Sequence, residues 1–354
     1  MPHFGGGGPS TVFFWDLEDC PVPDGLTAEA VWRNMRRALA NNAGEYLGRC
    51  EITGFGDFSL ATKHDGIGMI WSPLGDRRNR QSKILVEFLC RAIRSPSQTK
   101  FVLILGDISG HSGFLTAIRR LKLCTYENHV ILAQPPQTSV ENFYGISSLW
   151  HWSSLSDAGG MPFYRFISDD KGKGKETHCD EEPYVSAKTL VFWDMVDCQI
   201  PDGLDAAVVS QNIGSALAKH GTVSIYAYGD TNQKIQGLES SGIVFRHSPA
   251  GDKDARLEKI IVDFLCCAIG NPDIDNLMLI MGDLSGHSEF ELAANLMSCL
   301  NFTVFLAQPQ NASQQLLDAV PKKWLWSSLS AGGREFYQWK IPQAILDYPA
   351  ARNA

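Results

Sequence analysis

The residues best suited to chemistry are acids that end apolar runs. The stretch Val12–Leu26 reads VFFWDLEDCPVPDGL, and it returns at Val191–Leu204 as VFWDMVDCQIPDGL. In each, a short apolar run reads as a buried strand, and an acid, Asp16 or Asp194, falls where that strand ends. Glu18 and Asp19 follow Asp16, whereas Val196 and Asp197 follow Asp194. Two more strand-like runs close on Gly-Asp, at Asp57 and Asp107 in the first half and at Asp230 and Asp283 in the second. Carboxylates sharing one rim repel each other unless a cation sits between them. Mg²⁺ and Mn²⁺ take oxygen ligands, and Mg²⁺ often keeps waters and a substrate phosphate. Such a centre activates water and neutralises a phosphate in transition. The chemistry expected of these acids is therefore metal-assisted phosphodiester hydrolysis. The plain alternative is a turn Asp that caps the loop after each strand.

The elements that must position these acids recur as a set. A helix is expected over Ala28 to Leu47, with a counterpart over Ala206 to His220. A second helix begins KILVEFLCRAI at Lys83 and KIIVDFLCCAI at Lys259, with apolar residues at helical spacing. Buried strands then lead to GDISGHSGF (Gly106 to Phe114) and GDLSGHSEF (Gly282 to Phe290), and further strands end ILAQP and FLAQP. Each half closes on a Trp-rich segment, WHWSSLSDAGG from Trp150 and WLWSSLSAGG from Trp324. Alternating strands and helices predict an α/β fold: two Rossmann-like domains, each a mostly parallel central sheet of about five strands flanked by helices. The first domain is expected over 10–167 and the second over 187–345. Between them, 168–186 is charged and rich in Gly and Lys, as a flexible linker would be. With strand one central, the acid-bearing ends converge on one rim, where ligands bind in open α/β sheets.

Composition narrows the class. The chain of 354 residues is long enough for about two domains. It is 44% hydrophobic and 20% charged, which describes ordinary globular material. No apolar run is long enough to span a bilayer, and neither terminus reads as a targeting signal, so a cytoplasmic or nuclear location is expected. The nine cysteines show no zinc spacing, and Cys90, Cys266, Cys267 and Cys299 fall in apolar helical patterns that predict reduced core residues. The net charge of −8 is not that of a generic nucleic-acid binder. It is uneven, however: 1–168 carries 16 basic and 15 acidic side chains, and 185–354 carries 12 and 18. Arg77, Arg78, Arg80 and Lys83 form a local basic cluster suited to an RNA backbone, or else a solvated helix face.

Taken together, the FWDxxDCxxPDG opening, the Gly-Asp strand ends, the KIxVxFLxxAI helix, the LAQP strand and the WLWxSLSAGG tail resemble the NYN domain family. The resemblance is nearest to its plant endonuclease-type group, related to the meiosis regulator and mRNA stability factor. It covers nearly all of both halves. It implies a PIN-like fold, a divalent metal (Mg²⁺ or Mn²⁺), ribonuclease activity on single-stranded RNA, and a role in RNA turnover and gene regulation. The animal relative's link to peroxisomes enters by analogy alone.

Matched to the family motif, the first acid is Asp16 or Asp194, the next is Glu18, and the acid of the fourth-strand loop is Asp107 or Asp283. These five are the expected catalytic residues, and Asp16, Asp107, Asp194 and Asp283 the expected metal ligands. Asp19, Asp57, Asp197, Asp230 and Glu289 are candidates for support. The chain also departs from the family. Asp19 and Asp197 stand where Asn is usual. The helix acid is missing, with Gln81 or Leu257 in its place and Glu258 and Asp254 nearby. The short GDxDF loop is lengthened by SGHS. Ser109, His111 and Ser112 could contact RNA, and His111 and His287 could serve as ligands or as acid and base; alternatively the segment caps the next helix. Trp150, Trp152, Trp324 and Trp326 either stack on bases or cover a sheet edge. Two functions from different classes follow. One is a divalent-metal RNA endonuclease, with an intramolecular contact between its domains. The other is a catalytically inactive NYN fold that binds RNA or protein.

Overall fold

A computed structural model of the chain describes residues 10–43, 47–57, 68–71, 76–95, 98–108, 111–124, 128–136, 144–165, 187–230, 235, 237–238, 240–248, 251–268, 271, 273–312, 320 and 322–335. The expected linker at 168–186 and Ser109 lie outside these residues. The chain divides into two compact units. One comprises Met1–Ser186 and Pro249–Asp273, the other Ala187–Ser248 and Ile274–Ala354.

The first unit is built on a seven-stranded sheet. In chain order it contains β1 (Ser10–Asp16), α1 (Ala28–Ala43), β2 (Arg49–Gly56), β3 (Gly68–Trp71), α2 (Arg77–Arg94), β4 (Lys100–Ile104), α3 (Ser112–Cys124), β5 (His129–Gln134), β6 (Ile146–His151), α4 (Trp152–Leu155) and β7 (Tyr164–Arg165). The strand order is β3-β2-β1-β4-β5-β6-β7. All neighbours run parallel except β6 and β7. Parallel strands covered on both faces read as unbroken apolar runs, and six of the seven residues of β1 are buried. The chain builds outward from β1 through β2 to β3, then crosses back to lay β4 on the other side of β1. That reversal is the switch point at which ligands bind in doubly wound sheets, and Asp16 and Asp107 flank it.

Helix α1 buries one stripe, Val31, Met35, Ala38 and Leu39, under Phe13, Trp15 and Ile52. Its described part runs to Ala43, and Leu47, the expected end, is not helical. On α2 a second stripe places Phe88 against Phe14 and Phe101 at ring-centroid distances of 6.0 and 5.3 Å. Asp76 starts α2 as its N-cap, accepting a hydrogen bond from the Asn79 backbone N–H, as a short polar side chain does for an otherwise unpaired helix N–H.

The second unit repeats the plan with β8 (Thr189–Asp194), α5 (Ala206–Leu217), a 3₁₀ turn (Ala218–His220), β9 (Val223–Gly229), β10 (Val244–His247), β11 (Asn276–Ile280), α7 (Ser288–Cys299), β12 (Thr303–Gln308), β13 (Lys322–Leu325) and α8 (Trp326–Ser330). Its six strands run β10-β9-β8-β11-β12-β13, all parallel. The helix between β10 and β11, α6 (Lys253–Cys266), belongs by its packing to the first unit. There Arg78 pairs with Asp252 and Asp254, and Arg120 with the fully buried Asp263.

Among the described residues the sheets thus hold seven and six strands rather than about five, because the Trp-rich segments each add one and β7 adds another to the first sheet. Cys90, Cys266 and Cys267 are buried as expected. Cys299 is exposed, since it is the last residue of α7. Among the described residues no helix is long and apolar enough to cross a membrane.

Candidate functional site at the carboxyl edge of the sheets

The acid turn of the first unit is held from several directions. The Asp16 side chain is fully buried, and its Oδ1 accepts the backbone N–H groups of Glu18 and Asp19 at 3.0 and 3.1 Å. It thereby caps its own loop. Two tryptophans then clamp the loop. The Trp15 indole donates to the Cys20 carbonyl at 2.7 Å, and the Trp152 indole to that of Pro21 at 2.9 Å. Their rings pack 5.3 Å apart. The Gln134 amide, from the LAQP strand, donates to the Gly106 carbonyl at 2.6 Å and fixes the loop that carries Asp107. Gly106 lies close against this turn: a Cβ there would lie 2.1 Å from Asp19 Oδ2 and would make that carboxylate shift.

A guanidinium fills the space among the acids. Arg80, 1% exposed, places Nε 2.7 Å from Asp16 Oδ1, Nη1 2.7 Å from Glu18 Oε2 and Nη2 3.3 Å from Asp19 Oδ1. Arg77 adds a second cation, donating to Asp19 Oδ2 at 2.8 Å and to the Asp107 carbonyl at 3.2 Å. The basic cluster is therefore divided. Arg80 is buried on the acids, Arg77 rims them and Arg78 pairs with α6. Lys83 is half-buried on α2. Burial drives the Asp16 carboxyl above its ordinary value against the opposing pull of Arg80. Cys20, behind the turn, is raised by burial and then by Asp16 and Asp19, so it is an inert thiol. Asp57 follows β2 half-buried, and the Asp107 side chain is exposed.

Could these residues hold a divalent metal? Among the described residues, no group of three His, Cys, Asp or Glu side chains is placed to do so. In the first unit Arg80 lies among the acids. Each of Asp16, Glu18 and Asp19 already gives an oxygen to it. A dication about 4 Å from a guanidinium would meet a repulsion of about 8 kcal/mol at an effective dielectric of 20. The residues do not fit a metal while Arg80 is in place. The sequence carried a signal for this position: Arg80, Ile84 and Phe88 are four apart and share the buried stripe of α2.

The second unit keeps the scaffold and changes the side chains on it. Asp194 Oδ1 accepts from the Val196 and Asp197 N–H groups at 3.0 and 3.3 Å. Trp193 and Trp326 donate to the Cys198 and Gln199 carbonyls, both at 2.8 Å, and Gln308 donates to Gly282 at 2.8 Å. The Cys198 thiol, like Cys20, is raised by burial. Val196 replaces Glu18 and is 40% exposed. Asp283 is exposed and accepts from the Ser285 hydroxyl at 2.8 Å. A cavity of about 310 Å³ opens beside the turn, lined by Met195, Val196, Ile200, Asp230, Ile235 and Phe245. The sequence reading did not anticipate it, since Ile235 and Phe245 carry no motif.

The SGHS loops also diverge. Ser112 opens α3, and His111 Nδ1 lies 2.9 Å from Glu258 Oε1, which also accepts the Gly113 N–H at 2.8 Å. In the second unit Glu289 stands where the first has Gly113, and it meets His287 Nδ1 at 2.9 Å. The histidines thus contact carboxylates at helix starts. Trp150, Trp152, Trp324 and Trp326 are all buried and packed in their cores.

Solved structures similar to this chain include the E. coli ADP-heptose LPS heptosyltransferase II (12% identity, 95% of this chain and 96% of that one, TM-score 0.24). A ketoreductase domain of the bacillaene assembly line (8%, 89% and 87%, 0.23) and the glycotransferase of kitacinnamycin (10%, 91% and 87%, 0.25) are similar to the same low degree. No curated relative matches the chain significantly. The NYN domain model, by contrast, matches residues 10–144 and again 188–324. This chain belongs to the NYN domain family, a PIN-like nuclease fold, and carries the domain twice.

Proposed function

We propose that this chain binds RNA through its two NYN domains and does not cleave it by metal-assisted hydrolysis. The observation that carries the reading is the buried Arg80, paired with all three acids of the first turn. A rim so occupied keeps the family's shape without its cation. Family membership supports RNA as the ligand, and RNA turnover as the setting. The cavity beside Asp194 supports a place for a base, since small-molecule sites begin at about 300 Å³ and combine apolar walls with a few polar groups. The relation to the plant endonuclease-type group and a cytoplasmic or nuclear location belong to this proposal, and rest on the motifs quoted above.

The metal-dependent endonuclease is the second reading. It is favoured by Asp16 Oδ2, which is buried without a hydrogen-bond partner and so has capacity left. It requires Arg80 to leave the acids.

The test is binding of a labelled single-stranded RNA, followed by fluorescence anisotropy in EDTA and in Mn²⁺. Equal affinity in both, falling as salt rises, is expected. Binding that needs the divalent ion would contradict the proposal, and absence of RNA binding would point to a protein ligand instead.

A further inference from the structure

We infer that Arg80 is the built-in cation of the first unit, standing in for a metal in a latent site that only its removal would open. The inference rests on the reading of that rim as non-hydrolytic and says what became of the ion. Three features of the first unit carry it. Three carboxylates come within four residues of chain at the switch point of the sheet, an arrangement that needs positive charge to form. The charge comes from a side chain that is 1% exposed and touches all three. The buried Asp16 Oδ2 is left without a hydrogen-bond partner. A planar guanidinium carries five donors in a fixed fork and cannot turn to meet every lone pair. A spherical cation would have no such restriction.

The substitution also explains the missing helix acid. Arg80 stands next to Gln81, on the same turn of α2 where the family resemblance places an Asp. Losing an acid at position 81 together with the dication it would bind, and gaining a base at position 80, leaves the local charge unchanged. A metal has to be acquired from solution, whereas an arginine is present from synthesis, so the turn folds without any ion.

The experiment is a thermal unfolding series on the full chain in EDTA and in Mn²⁺, with no RNA present. The wild-type midpoint should be the same in both. Arg80→Ala should unfold several degrees lower in EDTA, because the acids then repel. Mn²⁺ should raise the variant's midpoint by several degrees, since a ligand held only by the folded state stabilises it. The gain should vanish in Arg80→Ala/Asp16→Asn. If Arg80→Ala does not fold, Arg80→Gln keeps much of the volume without the charge, and the same recovery is expected of it. A wild-type midpoint that rises with Mn²⁺ and stops rising in Asp16→Asn would overturn the inference, because metal would then bind beside Arg80. So would variants that fold but ignore Mn²⁺. Failure of RNA binding, measured separately, would overturn the proposed function and leave this series untouched.

Discussion

The two acid turns differ in side chains but not in scaffold. Both start with a fully buried Asp that caps its own loop, and both are clamped by two indole N–H groups and steadied by a Gln-to-Gly hydrogen bond. On that shared frame the first turn is charged and closed by Arg80. The second has Val196 for Glu18 and opens on a cavity. Persistence of the Asp is therefore no proof of catalysis, because the Asp is needed to fold the turn. The part free to vary is what the turn presents to a ligand.

The largest expected effect comes from separating these two roles. Asp16→Ala should cost about 3–5 kcal/mol in denaturant unfolding, since it leaves a buried guanidinium short of its nearest partner. Glu18→Val, which makes the first turn read as the second does, should cost about 1 kcal/mol or less. Arg80 keeps Asp16 and Asp19, and the same residue is tolerated at 40% exposure in the other copy. Equal costs would show that the three pairs act as one unit.

A smaller difference lies at the foot of the central strands. Thr11 donates to the Leu47 carbonyl at 2.6 Å, and Thr189 to that of His220 at 2.9 Å, so His220 stands where the first unit has Leu47. Burial first, then Lys322 and Lys219, lowers the His220 pKa below 6.5. The unfolded chain takes up this proton at higher pH than the folded one. The stability His220 contributes is thus complete above about pH 6.5 and declines as pH falls through the folded value. In pH-dependent urea unfolding, His220→Leu should remove that slope, and a slope that persists would place it in another group.

Much of the architecture was legible in the sequence. Apolar runs gave the strands, and repetition of whole motifs gave two copies with β1 at the centre. The carboxyl-edge position of Asp16 and Asp107 followed from that order. The Trp tails were legible as packing residues, but not as the indole clamps that hold Cys20, Pro21, Cys198 and Gln199. Arg80 was legible only in part. It read as one of a run of surface bases, yet its spacing to Ile84 and Phe88 set it on the buried stripe. What neutralises it depends on contacts 61 to 64 residues away in sequence, which no local pattern encodes. The cavity of the second unit is beyond sequence reading for the same reason.

The central claim is that the fold has kept the acids and given up the ion. The most direct test is cleavage of a labelled single-stranded RNA by the purified full chain in Mn²⁺, Mg²⁺ or EDTA, with Asp16→Asn/Asp107→Asn alongside. The prediction is intact RNA in every lane, with the RNA still bound. Metal-dependent cleavage by the wild type that disappears in the double variant would contradict it, and would mean that Arg80 yields its place to a metal.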